Sequence, residues 1–385
     1  RFAPVTARFA PVVAFGGLVF LVGLAAMRIE GPGAGTVAAA GVALVPRVFG
    51  HAHFAALDTL ISFFFVAAIL AVIEADARGG RTRYFALAGV VWGLALLTKL
   101  HGLLLAPPVV LWIVWRMRRA SAVPILAWGF SGLATLYAGW PWLWLAPIGN
   151  FRQFLATATD RQAINVFYAG RVWEDVQVPW HYPLVMFVVA LPVGLLILGV
   201  LGIWRYRQSD QRNPGYVLLM GNIVFLLAIF SWPGTPVYDG VRLFLMVFPI
   251  WAVSVGLGAK WLVDHPAFER FSPLIRWCGV GLLVASQGIG LLLYHPCQLS
   301  HYSLLVGGLR GAESLGFEVT YWGDSVTEKV LSEASTHTAG GRLLFAPSLA
   351  QFQYPAVAIS SASLVQNEVE LVGWDVNHPQ TAAGC

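Results

Sequence analysis

The chain has 385 residues, of which 58% are hydrophobic and only 11% are charged, and its formal net charge is +5. The charged fraction is roughly half of that in a usual soluble domain, and the chain has far more apolar side chains than a soluble globular protein can bury. A soluble enzyme, a disordered chain and a disulfide scaffold are therefore excluded. Because the basic residues are spread between apolar runs and do not gather on one face, a nucleic-acid partner is also excluded.

Ten apolar runs follow one another along the chain, and each is predicted to form one transmembrane helix, which takes about 20 residues. The runs lie at about residues 10–27, 34–49, 55–75, 84–98, 102–115, 123–146, 183–204, 215–232, 242–262 and 275–294. The predicted fold class is an all-α polytopic membrane protein of about ten transmembrane helices, with a small C-terminal extracytoplasmic α/β segment.

Basic residues in the short connections predict the orientation, because lysine and arginine are enriched in cytoplasmic loops. If every run spans once, four groups fall on one side: Arg78, Arg81 and Arg83; Arg116, Arg118 and Arg119; Arg205, Arg207 and Arg212; Lys260, Arg270 and Arg276. With that side in the cytoplasm, the sequence predicts a multi-pass protein of the cell (inner) membrane, whose candidate site residues lie on the extracytoplasmic side.

The same topology predicts the domains. Residues 1–294 form a multi-pass transmembrane domain, within which 147–182 is a long extracytoplasmic loop, and residues 295–385 form a C-terminal extracytoplasmic segment. In that last segment, a capping-box pattern predicts a helix over 324–336. Short β-rich runs follow at 342–346, 356–360 and 368–374.

Asp58 begins the third apolar run, and a charged group at the edge of an apolar span is usually kept for a site or for a buried pair. On a helix, His51 shares a face with Asp58, while His53 is offset from it. With Arg47 nearby, these groups can bind a divalent cation or hold a phosphate. The alternative is an interfacial aspartate that caps its own helix beside two solvated histidines.

Two further polar groups are predicted on the same side. Lys99 and His101 close the fourth run, where the lysine either extends to the membrane surface or binds a phosphate. Arg242, in the segment Tyr238-Asp239-Gly-Val-Arg242, either clamps a phosphate in two hydrogen bonds or pairs with Asp239.

These segments resemble one known family. The segments are 46–58 (Pro-Arg-Val-Phe-Gly-His-Ala-His-Phe-Ala-Ala-Leu-Asp), the span end 93–99, the segment 238–245, and the stretch from 295–300 to 321–323. They are similar to those of the dolichyl-phosphate-mannose protein mannosyltransferase family. That family belongs to the C-type membrane glycosyltransferases and is related to the bacterial aminoarabinose lipid A transferases.

The resemblance implies transfer of a sugar, such as a mannosyl or other hexosyl group, from a polyprenyl-phosphate donor to a protein, lipid or glycan acceptor, with inversion. The donor and the membrane lipids are the expected partners. By resemblance, Asp58 is a supporting acid, and Lys99, Arg242 and Arg47 bind the donor phosphate. The further substrate-binding candidates are His51, His53, His101, Tyr238, Asp239 and Arg161. No cofactor is assigned, and a divalent cation is left open.

One feature of the family is not matched. Its principal acidic residues lie in the first outer loop after the first helix, whereas the first run here resembles the second helix. The catalytic base is therefore expected upstream of Arg1. The alternative function is a multi-pass transporter or flippase for a lipid-linked or small polar substrate, although transporters tend to carry polar groups near the membrane midplane.

Overall fold

The computed structural model describes residues 4–157, 163–208 and 213–321. The chain divides into two units, Arg1–Tyr321 and Trp322–Cys385. The predicted helix at 324–336 and the three predicted β-rich runs lie outside the described residues, as does Arg161.

The described residues are mostly helical. The first α-helices are α1 (Pro4–Ala7), α2 (Phe9–Glu30), α3 (Pro32–Ala43), α4 (Pro46–His51), α5 (Leu57–Ala77), α6 (Thr82–Thr98), α7 (Ala106–Met117), α8 (Ala122–Gly139) and α9 (Pro141–Leu145). They are followed by α10 (Pro147–Ala156), α11 (Tyr182–Ala190), α12 (Val193–Gln208), α13 (Pro214–Phe230), α14 (Val247–Asp264), α15 (Pro273–Ser286), α16 (Ile289–Leu293) and α17 (Gly308–Ser314). Short 3-10 helices occupy Leu100–Leu105, Arg118–Ala120, Arg242–Phe244, Pro266–Phe268, Gln298–Ser300 and Leu304–Val306.

The helices reproduce the ten predicted apolar runs. Within the described residues, 6 helical stretches are long and apolar enough to cross a membrane: Phe9–Glu30, Leu57–Ala77, Leu100–Ala120, Ala122–Gly139, Val247–Asp264 and Pro273–Leu293. Two bent pairs of helices and the shorter apolar helices α6 and α13 match the other four runs. The predicted class, a polytopic helical membrane protein, is confirmed.

Proline explains the two bent pairs. The chain bends by 68° between Pro32–Ala43 and Pro46–Ala52, and by 110° between Tyr182–Ala190 and Val193–Gln208. The residue before a proline is pushed into extended backbone. Val45 before Pro46 has ψ 109, and Leu191 before Pro192 has ψ 133.

Helix α14 lies at the centre of the bundle, with 78% of its most apolar window buried. It packs against α2, α3 and α12. Its approach to α12 is so close that a Cβ at Gly258 would meet the carbonyl oxygen of Leu198, and a Cβ at Gly202 would meet that of Ser254. Small residues allow this kind of helix contact in membrane proteins.

Ion pairs join the helices at the end of the bundle where α5 terminates. Arginines that predicted the orientation take part: Arg116 pairs with Asp76, and Arg205 pairs with Glu30 and Asp264. Arg78 pairs with Glu74 within the end of α5. Their nitrogen–oxygen distances run from 2.6 to 3.1 Å. Acids that the sequence left unexplained are therefore partners of these arginines.

The predicted loop 147–182 contains helix α10 and an antiparallel hairpin of β1 (Asn165–Tyr168) and β2 (Arg171–Glu174). The hairpin turns at Ala169 and Gly170, which both have positive φ, 53° and 73°. Two residues with positive φ form the tight turn that matches the twist of antiparallel strands. The sequence did not predict this hairpin.

Residues 295–321 pack within the first unit. Ser303 N donates to the carbonyl oxygen of Val189 at 2.8 Å, and Gly170 N donates to that of Gly316 at 3.1 Å. The first unit therefore runs on to Tyr321, past the predicted division at 294/295. The extracytoplasmic position of this segment stays a prediction.

The contact between α12 and α14 gives a stability prediction. We expect Gly258→Ala to lower the free energy of unfolding by about 1–3 kcal/mol, because the added methyl group meets backbone atoms that cannot rotate away. Thermal unfolding in one detergent measures the effect. Gly221→Ala on α13 is the matched control, since no atom lies within 4 Å of the added Cβ. Equal melting temperatures for the two variants would contradict the close packing.

Candidate functional site

Four charged side chains form an ion cluster at the end of the bundle where α5 begins. Lys99 Nζ lies 2.7 Å from Asp58 Oδ1, and Arg242 Nε lies 3.3 Å from Asp58 Oδ2. Arg242 Nη1 also lies 2.7 Å from Asp239 Oδ2. Residues separated by up to 184 positions in the sequence therefore meet at one point.

Local backbone geometry places each member. Asp58 is in the first turn of α5, and Lys99 follows the last residue of α6 in extended conformation, with φ −161 and ψ 149. Asp239 and Gly240 both have positive φ, 55° and 65°, so the chain turns sharply just before Arg242. Aspartate and glycine tolerate this left-handed conformation better than most residues.

Burial divides the ion cluster into an inner and an outer part. The Asp58 side chain is 1% exposed, whereas those of Lys99 and Arg242 are 19% and 27% exposed. Both Asp58 oxygens accept from cations, so the buried carboxylate orients the two basic groups. Among the described residues Lys99 donates one hydrogen bond. An ammonium group has three donors, so Lys99 retains two for a further oxygen ligand.

The formal charges of the ion cluster cancel, since two carboxylates face one ammonium and one guanidinium group. The interpretation of Asp58 as a cap on its own helix is wrong, because its carboxylate makes no cap hydrogen bond and is paired with Lys99 and Arg242.

Two predicted histidines adjoin the ion cluster, and one does not. The imidazoles of His51 and His101 interact electrostatically with Asp58, Lys99 and Arg242. His51 is buried, and His101 stacks on a phenylalanine ring. His53 is exposed, and its Nδ1 contacts the Phe49 carbonyl oxygen at 2.8 Å. Among the described residues, no group of three or more His, Cys, Asp or Glu side chains converges on a point.

Arg47 belongs to a second group, which we call the arginine cage: Arg47, Tyr302 and Tyr321. Its guanidinium carbon lies 4.5 Å from the ring centre of Tyr302 and 4.9 Å from that of Tyr321. Arg47 Nε donates to the carbonyl oxygen of His301 at 3.0 Å, and the residue is 1% exposed. The cage thereby ties residues 301–321 to the bend between α3 and α4.

The Asp239–Gly240 turn joins the two groups. Asp239 pairs with Arg242, while a Cβ at Gly240 would lie 2.6 Å from Arg47 Nη1. Glu318 lies close to the same turn. Its backbone oxygen accepts a hydrogen bond from Tyr302 Oη at 2.6 Å, and its carboxyl group interacts electrostatically with Asp239. Burial, with the Asp239 charge, raises the pKa of Glu318 to about 8, and Arg47 opposes this rise.

The structure thus brings most of the predicted site residues together at one end of the bundle. Tyr238 accompanies Arg242, whose guanidinium carbon lies 5.9 Å from the Tyr238 ring centre. Sequence reasoning missed Glu318 and the tyrosines of the arginine cage. Tyr321 appeared only within a stretch that carried the family resemblance, and Glu318 stands in no motif.

A family model matches the N-terminal part of the chain. Residues 4–144 match the family described as dolichyl-phosphate-mannose-protein mannosyltransferase. The matched part contains Asp58 and Lys99 and ends before Arg242. The resemblance to this family that was predicted from the sequence is confirmed over residues 4–144.

Two solved structures are similar to this chain, and the first shares its fold. ArnT from Cupriavidus metallidurans, bound to undecaprenyl phosphate, superposes with a TM-score of 0.51 at 15% identity, over 80% of this chain and 60% of that one. The oligosaccharyltransferase of Archaeoglobus fulgidus, tethered to an acceptor peptide, gives a TM-score of 0.45 at 15% identity, over 87% of this chain and 46% of that one. At this identity the first likeness shows the fold alone.

One relative is an ion exchanger and not a transferase. Human sodium/hydrogen exchanger 4 is 26% identical over 161 residues, which is 39% of this chain and 19% of the exchanger. The chain therefore spans less than two thirds of the length of each of these relatives.

The buried carboxylate gives a second stability prediction. We expect Asp58→Asn to lower the free energy of unfolding by about 1–3 kcal/mol, because one amide cannot satisfy two cations and has no charge to balance theirs. Chemical unfolding in detergent measures the loss. Asp76→Asn is the matched control: Asp76 accepts two hydrogen bonds from Arg116, but its side chain is 14% exposed, so a smaller loss is expected. Equal losses would contradict the argument from burial.

The raised pKa of Glu318 predicts a pH effect on stability. Between its ordinary pKa of 4.5 and about 8, the folded chain keeps a proton that the unfolded chain has lost, so stability falls as the pH rises through this window. The melting temperature of the wild type, measured relative to that of Glu318→Gln, is expected to fall from about pH 5 to about pH 8. Glu313→Gln, on an exposed residue of the same segment, controls for the loss of a carboxyl group. If the difference in melting temperature between the wild type and Glu318→Gln is independent of pH, the Glu318 carboxyl group is not desolvated.

Proposed function

We propose that the protein transfers a sugar from a polyprenyl-phosphate-linked donor to an acceptor at the extracytoplasmic face of the membrane. The observation that carries the proposal is the ion cluster: two partly exposed cations, fixed by a buried carboxylate at a helix end, on the fold shared with ArnT. The sugar and the acceptor, whether a protein hydroxyl, a lipid or a glycan, are left open.

The ion cluster suits the phosphate of such a donor. Lys99 and Arg242 reach it from two directions, and a phosphate oxygen accepts stronger hydrogen bonds from charged donors than from neutral ones. Arg47 is not assigned to the phosphate, because it is not one of the cations that pair with Asp58. Its guanidinium group stacks on the rings of Tyr302 and Tyr321, its Nε donates to the His301 carbonyl oxygen, and its Nη2 is left for another ligand.

The proposed step is a direct displacement. The oxygen of an acceptor hydroxyl group forms a bond to the anomeric carbon as the bond between that carbon and the phosphate oxygen breaks, which inverts the configuration. The proton of the acceptor hydroxyl group is released to water. The bonding electrons leave with the phosphate, and Lys99 and Arg242 stabilise the negative charge that develops there. Asp58 holds these cations in position, since both its oxygens are already engaged.

Membrane position follows from the same proposal. Polyprenyl chains lie in the bilayer, so the phosphate meets the protein where a span reaches the membrane surface. Asp58 begins one span, and Lys99 follows the last residue of the next helix, which is antiparallel to it. The excess of basic residues at the other end of these helices supports a position of the ion cluster outside the cytoplasm.

The purified protein is reconstituted in proteoliposomes with a membrane-derived acceptor fraction and with undecaprenyl-phosphate donors that carry a labelled sugar. The rate at which undecaprenyl phosphate is released is measured. We expect Lys99→Gln and Arg242→Gln each to lower the rate about 10-fold to 100-fold, which corresponds to one lost charged hydrogen bond. Asp76→Asn, at the opposite end of α5, is the control and is expected to keep wild-type activity. Transfer undiminished in both cluster variants, or no transfer by the wild type with any donor, would refute the proposal.

A second candidate, movement of a substrate across the membrane without bond changes, is favoured by the local similarity to the sodium/hydrogen exchanger. The same proteoliposomes test it. A pH-sensitive dye inside the vesicles would report sodium-driven proton movement. Such movement without release of undecaprenyl phosphate would favour transport over transfer.

A further inference from the structure

Two buried hydrogen-bond donors beside the ion cluster are not satisfied by the described residues. Tyr182 is 1% exposed, and its hydroxyl group has no hydrogen-bond partner among residues 4–157, 163–208 and 213–321. Within the same residues, Arg47 Nη2 is also buried without a partner. Buried polar groups are nearly always hydrogen-bonded, so each of these donors calls for a ligand or a water molecule.

The two donors lie near a common group of polar atoms. The Tyr182 hydroxyl interacts electrostatically with Glu318, Tyr302 and Arg47. Arg47 stacks on Tyr302, whose hydroxyl group donates to the backbone of Glu318. Glu318 is only partly buried, whereas Tyr182 and Arg47 are fully buried.

The chemistry of the group selects a class of ligand. A tyrosine hydroxyl and a guanidinium group donate hydrogen bonds, and a carboxyl group accepts them. An anion is disfavoured, because the negative charge of Asp239 lies here and already helps to keep the proton on Glu318. An apolar ligand would leave all three groups unsatisfied. A neutral ligand with several hydroxyl groups satisfies donors and acceptor together.

The position of the group fits the lipid-linked donor. Its link to the ion cluster is short, because Asp239 pairs with Arg242 while the adjacent Gly240 abuts Arg47. The sugar of such a donor is bonded directly to the phosphate. A phosphate at Lys99 and Arg242 therefore places a ring with several hydroxyl groups beside them.

We propose that Tyr182, Arg47 and Glu318 form a hydroxyl-binding subsite for the sugar ring of the lipid-linked donor, an inference that rests on the function proposed above. The subsite is distinct from the phosphate contacts. It uses Arg47 as a donor held by the arginine cage, with Glu318 and Tyr182 completing the set.

The experiment compares two lipids of equal charge. One is undecaprenyl phosphate carrying mannose, glucose or N-acetylglucosamine, and the other is undecaprenyl methyl phosphate, a phosphodiester without a sugar. Dissociation constants are measured for the purified wild type and for Tyr182→Phe, Glu318→Ala and Lys99→Gln. Glu313→Ala, on the exposed face of α17, is the matched control for Glu318→Ala.

At least one sugar-bearing lipid is expected to bind the wild type more tightly than the methyl diester. Tyr182→Phe and Glu318→Ala are each expected to raise the dissociation constant of that lipid about threefold to tenfold, the equivalent of one hydrogen bond. Neither substitution is expected to change the dissociation constant of the methyl diester. Lys99→Gln is expected to raise the dissociation constants of both lipids. Tyr182→Phe should melt no lower than the wild type, since its hydroxyl group makes no hydrogen bond with the described residues.

The outcomes separate the two proposals. If both lipids bind through Lys99 but Tyr182→Phe and Glu318→Ala bind the sugar-bearing lipids as the wild type does, the subsite is refuted and the proposed function stands. No preference for any sugar over the methyl diester also refutes the subsite. If neither lipid binds, or Lys99→Gln changes nothing, the proposed function fails as well.

Discussion

The candidate site depends on one constraint, the burial of the Asp58 carboxylate at the edge of an apolar bundle. An ionised carboxylate without counter-charges in such a place is costly, so cations must come to it. One comes from the end of α6 and the other from the segment before α14, and both lie within 3.3 Å of Asp58. The extended backbone of Lys99 and the left-handed conformation of Asp239 are local consequences, because each brings a cation to the carboxylate.

Arg242 and Arg47 show how burial separates two side chains of the same type. Arg242 is partly exposed and shared between two aspartates, so it can exchange some of its contacts for those of an incoming anion. Arg47 is enclosed by two aromatic rings and a backbone carbonyl group, and it fixes the segment 301–321 against the bundle. The first arrangement suits the binding of a phosphate, and the second suits the support of the surrounding groups. Only the short Asp239–Gly240 turn lies between them.

The packing of the helices keeps the ion cluster and the arginine cage in position. Ion pairs at the opposite end of the bundle and the glycine contacts between α12 and α14 hold the helices close. The proline bend before α4 carries Arg47 and His51 towards the ion cluster, whereas a straight continuation of α3 would carry them away from it. Features outside the site therefore determine which polar side chains can meet within it.

The sequence by itself determined the membrane class, the ten apolar segments and the charged residues worth following, because apolar length and misplaced charge are local properties. Asp58, Lys99 and Arg242 stood out for this reason. Only the tertiary structure decided which charges pair, that Arg47 is enclosed by Tyr302 and Tyr321, and that Tyr182 and Glu318 lie beside them. Apart from the pair of Asp239 and Arg242, the charge pairs of the ion cluster and the contacts of Arg47 with these tyrosines join residues at least 41 positions apart, and no local pattern records them. The β-hairpin after α10 was missed because its strands are only four residues each, too short for a clear alternating pattern.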